Sequence, residues 1–375
     1  MSTQRRSEDA TMSASVTGRG HALPARLSQT DLWQGYFRHH YGDAEVARRV
    51  WEHSAIELRR GVVNPLQEDI SSWGTAARMR RFVDEALPLG KEAVGAALDD
   101  AGVDAGEVGL FTVVSCTGYA TPGLDILLAR DVGMSDTVQR LYIGHMGCYA
   151  ALPGLGTAAD FVNARSRPAV MLCVELTSLH VQPPTSNARA GDPTPADVQQ
   201  IVAHALFSDA AAAVVVEPAT DGLEVVDITA RTDVSTAGHM TWDVTDLGFK
   251  MGLSPRVPDV LRQHARPVVE QLLARHGMAI EEVDGWAIHP GGRKIIEVVG
   301  DVLGLAEEHL QASYDVLRNV GNSSSATVLL VLDRLLRLRD IPAAGHVVAM
   351  AFGPGLTLYT ALLRRVVAGR ESATR

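Results

Sequence analysis

A cysteine at the start of an uncharged helix is the first candidate for chemistry in this sequence. Cys148 follows strand-like residues 141–143 within the segment GHMGCYAAL. Unpaired N–H groups and the positive end of the helix dipole favour the thiolate at such a position. A lone cysteine is more often a buried structural residue, and Cys173, inside a strand-like run, fits that description. A catalytic role for Cys148 therefore depends on partners elsewhere.

Two such partners occur far downstream. His289 ends a buried strand-like run in WAIHPGG, and Asn322 opens a helix in GNSSSAT. Ligands and catalytic groups gather at strand ends in open α/β sheets. Alone, His289 fits a satisfied core histidine and Asn322 fits a helix N-cap. Together with Cys148, they provide an imidazole that holds a thiolate as an ion pair and donors for a developing oxyanion or enolate.

A glycine-rich loop near the end of the chain adds backbone donors to this set. Gly353, Pro354 and Gly355 lie in FGPGLT, where glycine permits close approach of N–H groups. An ordinary turn is the alternative interpretation of this segment.

The elements around these residues indicate an α/β fold. Apolar, β-branched runs predict strands covered on both faces at residues 109–115, 169–175, 211–217, 285–289 and 346–352. Helical patterns occupy residues 87–101, 148–164, 257–276 and 323–338. In each half, a small-residue helix leads into a buried strand, which suggests a duplication. We expect a flexible tail over residues 1–25, one half over 26–225 and the other over 226–375.

Composition excludes several functional classes. The 375 residues are 46% hydrophobic and carry a net charge of −10 without a basic stripe, so nucleic acid is not expected as a partner. Three scattered cysteines (Cys116, Cys148 and Cys173) predict neither a disulfide framework nor a metal site, and indicate a reducing, cytoplasmic compartment. No signal-peptide core and no membrane span of about 20 apolar residues is evident.

Over about residues 30–367, the motifs quoted above, together with HALFSDAAAAVVV, resemble the type III polyketide synthases, the chalcone synthase-like branch of the thiolase superfamily. The resemblance implies a thiolase-like fold of duplicated αβαβα five-layered halves, a homodimer and an acyltransferase. It implies acyl-CoA starter and malonyl-CoA or methylmalonyl-CoA extender as substrates, with no further cofactor. Cys148 resembles the residue that holds the growing chain, and His289 and Asn322 resemble the pair that activates it and promotes malonyl decarboxylation.

The resemblance also assigns cavity and coenzyme positions. Phe207 stands where the family has a gatekeeping phenylalanine between the CoA tunnel and the cavity, with a core aromatic as the alternative. Further expected cavity residues are Cys116, Thr117, Thr177, Gly248, Ser324, Gly353, Pro354 and Gly355. Arg49 aligns with a cation that meets CoA phosphates, His53 replaces a usual lysine, and Arg59 and Arg60 follow as possible substitutes.

Departures from the plant pattern bear on the product. Cys116 and Thr117 replace threonine and serine, and Thr121 replaces methionine. The smaller, less aromatic lining resembles bacterial members that convert fatty acyl-CoA into alkylpyrones or alkylresorcinols.

Two alternatives stay open at this point. A ketoacyl synthase III-like enzyme would share the three residue types but perform one condensation with a carrier protein. A catalytically inactive thiolase-fold binding protein would form no acyl-enzyme on Cys148.

Overall fold

The computed structural model describes residues 12–367, and its elements alternate along the chain. The strands are β1 Ser13–Ala22, β2 Arg26–Ser28, β3 Leu58–Arg60, β4 Leu110–Val114, β5 Gln139–Ile143, β6 Ala169–Leu176, β7 Asp209–Ala219, β8 Gly222–Thr232, β9 Met240–Thr245, β10 Gly248–Leu253, β11 Gly285–Ile288, β12 His346–Gly353 and β13 Thr357–Val366. The helices are α1 Gln29–Leu32, α2 Arg38–His40, α3 Glu45–Glu52, α4 Thr75–Ala101, α5 Leu124–Val132, α6 Ala151–Arg165, α7 Ser186–Arg189, α8 Pro195–Leu206, α9 Val257–Ala274, α10 Arg293–Leu303, α11 Glu307–Asn319 and α12 Ala326–Leu338. None of these helices is both long and apolar enough to cross a membrane.

The strand order repeats between the two halves of the chain. Nine strands form one sheet in the order β11-β12-β13-β8-β1-β7-β6-β4-β5. Outward from the centre, β1 is followed by β7, β6 and β4, and β8 is followed by β13, β12 and β11. In each half, therefore, the first strand lies beside the last strand, and the last-but-one strand lies on the other side of the last. The halves meet where β1 and β8 pair antiparallel, and the duplicated α/β fold predicted from the sequence is confirmed.

Alternating side chains on the strands separate five layers. On β6, Val170 and Leu172 pack with α4 and α5, whereas Met171 and Cys173 pack with α6 and α12. On β12, Ala349 faces the same two central helices, and the opposite face packs against α9 and α10. Helices α6 and α12 consequently lie between the two halves of the sheet.

The predicted N-terminal tail is corrected by β1. Residues 1–11 lie outside the described residues, but Ser13–Ala22 pairs along β7. A Cβ at Gly18 would clash with the Ala97 carbonyl of α4, and one at Gly20 with that of Ala93. The polar, glycine-containing composition that suggested a tail is instead what lets this strand lie against the helix backbone. The predicted boundary at residues 225 and 226 falls within β8, whereas the repeat in strand order changes at the connection between β7 and β8.

The other predicted elements occur close to their expected places. All five predicted strands are present, and β12 continues through a short turn into β13. The helix predicted from residue 87 begins at Thr75 and includes Pro88 in its interior. Proline removes only one backbone hydrogen bond there, and burial of one helix face against the sheet compensates for it.

Substituting Gly18 tests the close packing of β1 on α4. We expect Gly18→Ala to lower the free energy of unfolding by about 1–3 kcal/mol, because the new methyl group overlaps the α4 backbone. Urea denaturation followed by circular dichroism measures the change. Gly95→Ala is the matched control, since a Cβ at Gly95 meets nothing within 4 Å and alanine favours the helix by up to about 1 kcal/mol. A Gly18→Ala protein as stable as Gly95→Ala would contradict this packing.

Candidate active site

Cys148 lies in a tight turn immediately before α6. Gly147 adopts a φ of +74°, and a Cβ there would lie 2.8 Å from the Pro354 ring. Glycine is therefore required both for the turn and for the contact with the loop after β12. The Cys148 thiol is buried, and burial raises its pKa to about 12 although a hydrogen bond with Ser324 lowers it. Burial therefore favours the neutral thiol when no ligand is bound.

His289 follows β11 and is fully buried. Its ring meets the edge of Phe352, with centroids 5.4 Å apart. Neither Nδ1 nor Nε2 has a hydrogen-bond partner among the described residues, and burial lowers the pKa of the imidazole to about 3. Buried polar atoms are nearly always paired in folded proteins. Both nitrogens of this ring are therefore available for hydrogen bonds with a ligand.

The backbone of Asn322 is joined to the chain beside Phe207. The Asn322 N–H donates to the Leu206 carbonyl (3.0 Å), and the Ser208 N–H donates to the Asn322 carbonyl (2.9 Å). In the side chain, Oδ1 accepts from the Ser324 N–H at 2.9 Å. A backbone N–H can only donate, so this contact identifies the oxygen and leaves the amide NH₂ as a donor.

These three side chains and Phe207 line one cavity of about 640 Å³, called here the entry tunnel. It extends to exposed Arg293 and Lys294. A second cavity of about 770 Å³, the inner cavity, also contains Cys148 and Phe207. Phe207 thus lies at the junction of the two, where the sequence predicted a gate.

Adjacent residues of β12 help bring the groups together. Phe352 contacts His289, while a Cβ at Gly353 would lie 3.2 Å from the Cys148 nitrogen. Within residues 12–367, however, no hydrogen bond joins Cys148 to His289. Burial disfavours the charged forms of the expected thiolate–imidazolium pair, since it raises the pKa of Cys148 and lowers that of His289.

Most predicted cavity residues surround the inner cavity. Its lining includes Cys116, Thr117, Thr177, Ser324 and Pro354. Gly355 lies in the adjoining turn, outside the lining of either cavity, with a φ of +134°.

Gly248 and the predicted coenzyme arginines lie elsewhere. A Cβ at Gly248 would approach Arg78 and His180, outside both cavities, because the β9–β10 turn faces α4. Arg59 is buried, donates to the Phe207 carbonyl at 3.0 Å and stacks over the Trp51 ring. Its guanidinium therefore contacts the protein interior and is not on the lining of the entry tunnel.

Arg49 is not on the lining of the entry tunnel, although Val50 and His53 beside it are. The exposed Arg49 pairs with Glu45 at 2.8 Å. Arg60 is half-buried beside a separate narrow crevice. The cations at the tunnel mouth, Arg293 and Lys294, follow the HPGG motif and were missed because charged residues on a helix usually indicate a solvated face.

A buried carboxylate beneath the inner cavity was also missed. Glu175 accepts hydrogen bonds from the Cys116 N–H (3.0 Å), Thr117 Oγ1 (2.8 Å) and Ser325 Oγ (2.6 Å). Burial raises its pKa above the ordinary value. An acidic residue ending the apolar run AVMLCVE was the available signal. Its contacts fix Cys116 and the start of α12 relative to each other.

Comparison with known proteins follows the same division of the chain. The chalcone and stilbene synthase N-terminal domain matches residues 1–219, and the C-terminal domain of that family matches residues 227–367. The alpha-pyrone synthesis polyketide synthase-like Pks18 of Mycobacterium tuberculosis is 34% identical over 84% of this chain and 81% of its own. The 1,3,6,8-tetrahydroxynaphthalene synthase of Streptomyces peucetius is 32% identical over 91% and 90%. The crystal structure of 1,3,6,8-tetrahydroxynaphthalene synthase from Streptomyces coelicolor superimposes with a TM-score of 0.87 at 25% identity, covering 95% of this chain and all of that one.

Replacing His289 tests whether it takes the proton of Cys148. We expect His289→Ala to slow alkylation of Cys148 by iodoacetamide at neutral pH by about 10²–10⁴, the usual contribution of a general base. In the His289→Ala protein, the rate of Cys148 alkylation should continue to rise with pH, because burial raises the pKa of the thiol to about 12. Mass spectrometry of the Cys148 peptide measures the rate, with buried Cys173 as the internal reference. Asn322→Ala is the matched control, since an amide accepts no proton at these pH values. Equal rates for His289→Ala and the unaltered protein would exclude the base.

Proposed function

The chain belongs to the chalcone and stilbene synthase family, the type III polyketide synthases, and we propose that Cys148 carries the growing acyl chain. The observation that supports this most directly is the position of Cys148 on the lining of both the entry tunnel and the inner cavity. A thioester entering by the tunnel meets the sulfur first. The acyl group it leaves there then projects into the inner cavity.

Loading requires removal of one proton from a buried thiol. His289, neutral and with both nitrogens unpaired, accepts the proton of Sγ as sulfur attacks the carbonyl of the acyl-CoA starter. The carbon–sulfur bond to CoA then breaks, and the CoA thiolate takes the proton from His289 as it leaves, which returns the imidazole to its neutral form. The acyl group remains on Cys148 as a new thioester.

Extension uses Asn322 together with His289. Malonyl-CoA loses CO₂, and the electron pair of the broken carbon–carbon bond forms an enolate whose oxygen accepts hydrogen bonds from the Asn322 NH₂ and from the N–H of neutral His289. The enolate carbon attacks the acyl carbonyl, and Cys148 leaves as the thiolate. A dry site strengthens these hydrogen bonds to the enolate. Repetition and cyclising release complete the proposed reaction.

Coenzyme A is proposed to bind with its phosphates at the mouth of the entry tunnel. Arg293 and Lys294 begin α10 there, with side chains 60% and 65% exposed. Both contact Glu297, a partner that phosphate can replace. A thioester arm then passes between Pro195, Val202 and Leu206 toward Phe207.

An alkylpyrone or alkylresorcinol is the proposed product, made from a fatty acyl-CoA starter. The inner cavity lining includes Met79, Ile143, Met240 and Met251 together with five aromatic side chains, those of Tyr119, Tyr142, Phe207, Trp242 and Phe249. Both groups provide apolar surface for an alkyl chain. The printed name of the Mycobacterium relative, an alpha-pyrone synthesis protein, agrees with this choice.

A homodimer is proposed from the edge of the sheet. Strand β5 ends the nine-stranded order, so one side of its backbone lacks a neighbouring strand within the described residues. Leu141 on this strand is 38% exposed, and nearby Tyr119 is 69% exposed. An apolar, unpaired edge is a natural site for pairing with a second copy. Gly144, His145 and Met146, which follow β5, also line the inner cavity.

Replacing Asn322 should separate the two proposed chemical steps. Asn322→Ala is expected to retain acyl loading on Cys148 while malonyl decarboxylation falls by about 10²–10³, as on loss of one oxyanion donor. Intact-protein mass spectrometry measures loading from a panel of hexanoyl-, lauroyl- and stearoyl-CoA, and released CO₂ measures the second step. Cys148→Ala is the control and should load nothing. Equal loss of both steps, or extension that requires a carrier protein, would contradict this mechanism.

Removing the charges at the tunnel mouth tests coenzyme binding. Arg293→Ala and Lys294→Ala are each expected to raise KM for acyl-CoA about two- to fivefold, because an exposed ion pair contributes about 0.2–1 kcal/mol. KM for acyl-N-acetylcysteamine, which lacks the phosphates, should not change. Arg130→Ala is the matched control, since Arg130 is exposed, pairs with Asp131 and lines neither cavity. Equal effects on both substrates would place the coenzyme elsewhere.

A further inference from the structure

A third space lies behind one wall of the inner cavity. This outer crevice is narrow, about 60 Å³, and the same five side chains line it and the inner cavity. These five, called here the partition, are Thr177, Phe207, Trp242, Phe249 and Met251. Tyr36, Glu68 and Asp69 lie at the polar end of the crevice. Only one layer of side chains therefore separates the two spaces.

The interior of the outer crevice suits an alkyl chain. Its lining includes Leu27, Leu32, Phe37, Val63, Ile70, Val181 and Ala203. Apolar surface of this kind gains free energy when it covers methylene groups. The distal end of a long acyl chain would therefore contact apolar surface in the crevice, as the rest of the chain does in the inner cavity.

Phe249 is held firmly within the partition by His180. The Phe249 N–H donates to His180 Nδ1 at 3.0 Å, so Nδ1 carries no proton. Nε2 is then the protonated nitrogen, and it donates to the Thr117 carbonyl at 2.7 Å. The imidazole also stacks on the Phe249 ring, with centroids 4.6 Å apart. A neutral histidine that makes two hydrogen bonds thus fixes the position of Phe249 in the partition.

Trp242 is the largest side chain of the partition. It projects from β9, which pairs with β10 in a two-stranded sheet separate from the main one. Its Nε1–H donates to the Cys116 carbonyl at 2.7 Å. Its ring also meets three aromatic neighbours, at centroid distances of 5.4 Å for His180, 5.9 Å for Phe249 and 6.5 Å for Phe207. The indole is half-buried, and it fills the space between the inner cavity and the crevice.

We propose that Trp242 determines the longest acyl chain this enzyme accepts, by closing the inner cavity against an accessory chamber for a straight alkyl tail. The inference rests on the proposed function, since it assigns a specificity residue to the same acyl site. Trp242 acts through the volume of its ring. Shortening the side chain joins the two spaces, and the distal methylenes of a long acyl chain then occupy the outer crevice.

Starter preference of Trp242→Ala tests the proposal. Values of kcat/KM for malonyl-dependent product formation are measured by mass spectrometry with hexanoyl-, lauroyl- and stearoyl-CoA. We expect the stearoyl-to-hexanoyl ratio to rise about tenfold or more, the effect of accommodating a few further methylenes. Trp242→Phe keeps a ring but removes the hydrogen bond to Cys116, and it should retain the original ratio. Trp73→Ala is the matched control, because Trp73 is also half-buried but lines neither space.

Filling the chamber provides the reciprocal measurement. Ala203 lies on the crevice side of the partition, so adding Ala203→Phe to Trp242→Ala should restore the short-chain preference. Should Trp242→Ala fail to fold, Trp242→Leu is expected to shift the ratio in the same direction by a smaller factor.

Three results would overturn the assignment of Trp242. They are an unchanged ratio in folded Trp242→Ala or Trp242→Leu, an equal shift in Trp242→Phe, and a shift that survives Ala203→Phe. These differ from failure of the proposed function, in which the unaltered enzyme forms no polyketide from any starter.

Discussion

The packing of helices α6 and α12 between the halves of the sheet is the constraint on which the site depends. Helices α6 and α12 share one apolar cluster with the inward faces of β6 and β12. Small residues such as Ala151 and Ala158 bring α6 close to its neighbours, whereas α12 fills its place with larger side chains such as Leu329 and Val331. Cys148 precedes α6 and Asn322 precedes α12. Burying the helices therefore delivers both residues to the junction of the two halves.

Desolvation at that junction explains the electrostatics of the free site. His289 has no charged neighbour that raises its pKa, and burial lowers that pKa to about 3. The same burial raises the pKa of Cys148. A neutral thiol and imidazole cost less free energy in a dry cavity than an ion pair without further hydrogen bonds. Charge is expected to appear only while a thioester is present, when its oxygen accepts the available N–H donors.

The sequence identified the residues whose positions depend on local signals. Cys148, His289 and Asn322 each stand where a strand or helix begins or ends, and such boundaries are visible in glycine and apolar patterns. Glu175 and the β1 strand were missed because their roles depend on contacts between distant segments. A buried acid is recognisable only once its donors are known, and a glycine-containing strand resembles a tail until a helix backbone is packed against it. The prediction that Arg59 contacts coenzyme A was based on its charge. The position of Arg59 is instead determined by its contacts with Trp51 and the Phe207 carbonyl.

The bridge between Phe207 and Asn322 limits how this enzyme family can diversify along the present chain. Because each backbone supports the other, an insertion or deletion beside residue 207 would displace the amide at residue 322. Side-chain exchanges at position 207 leave that register intact. Substitution at position 207 can thus change only the size of the side chain. Insertions and deletions must occur elsewhere, for example in the β9–β10 hairpin, which lies outside the main sheet.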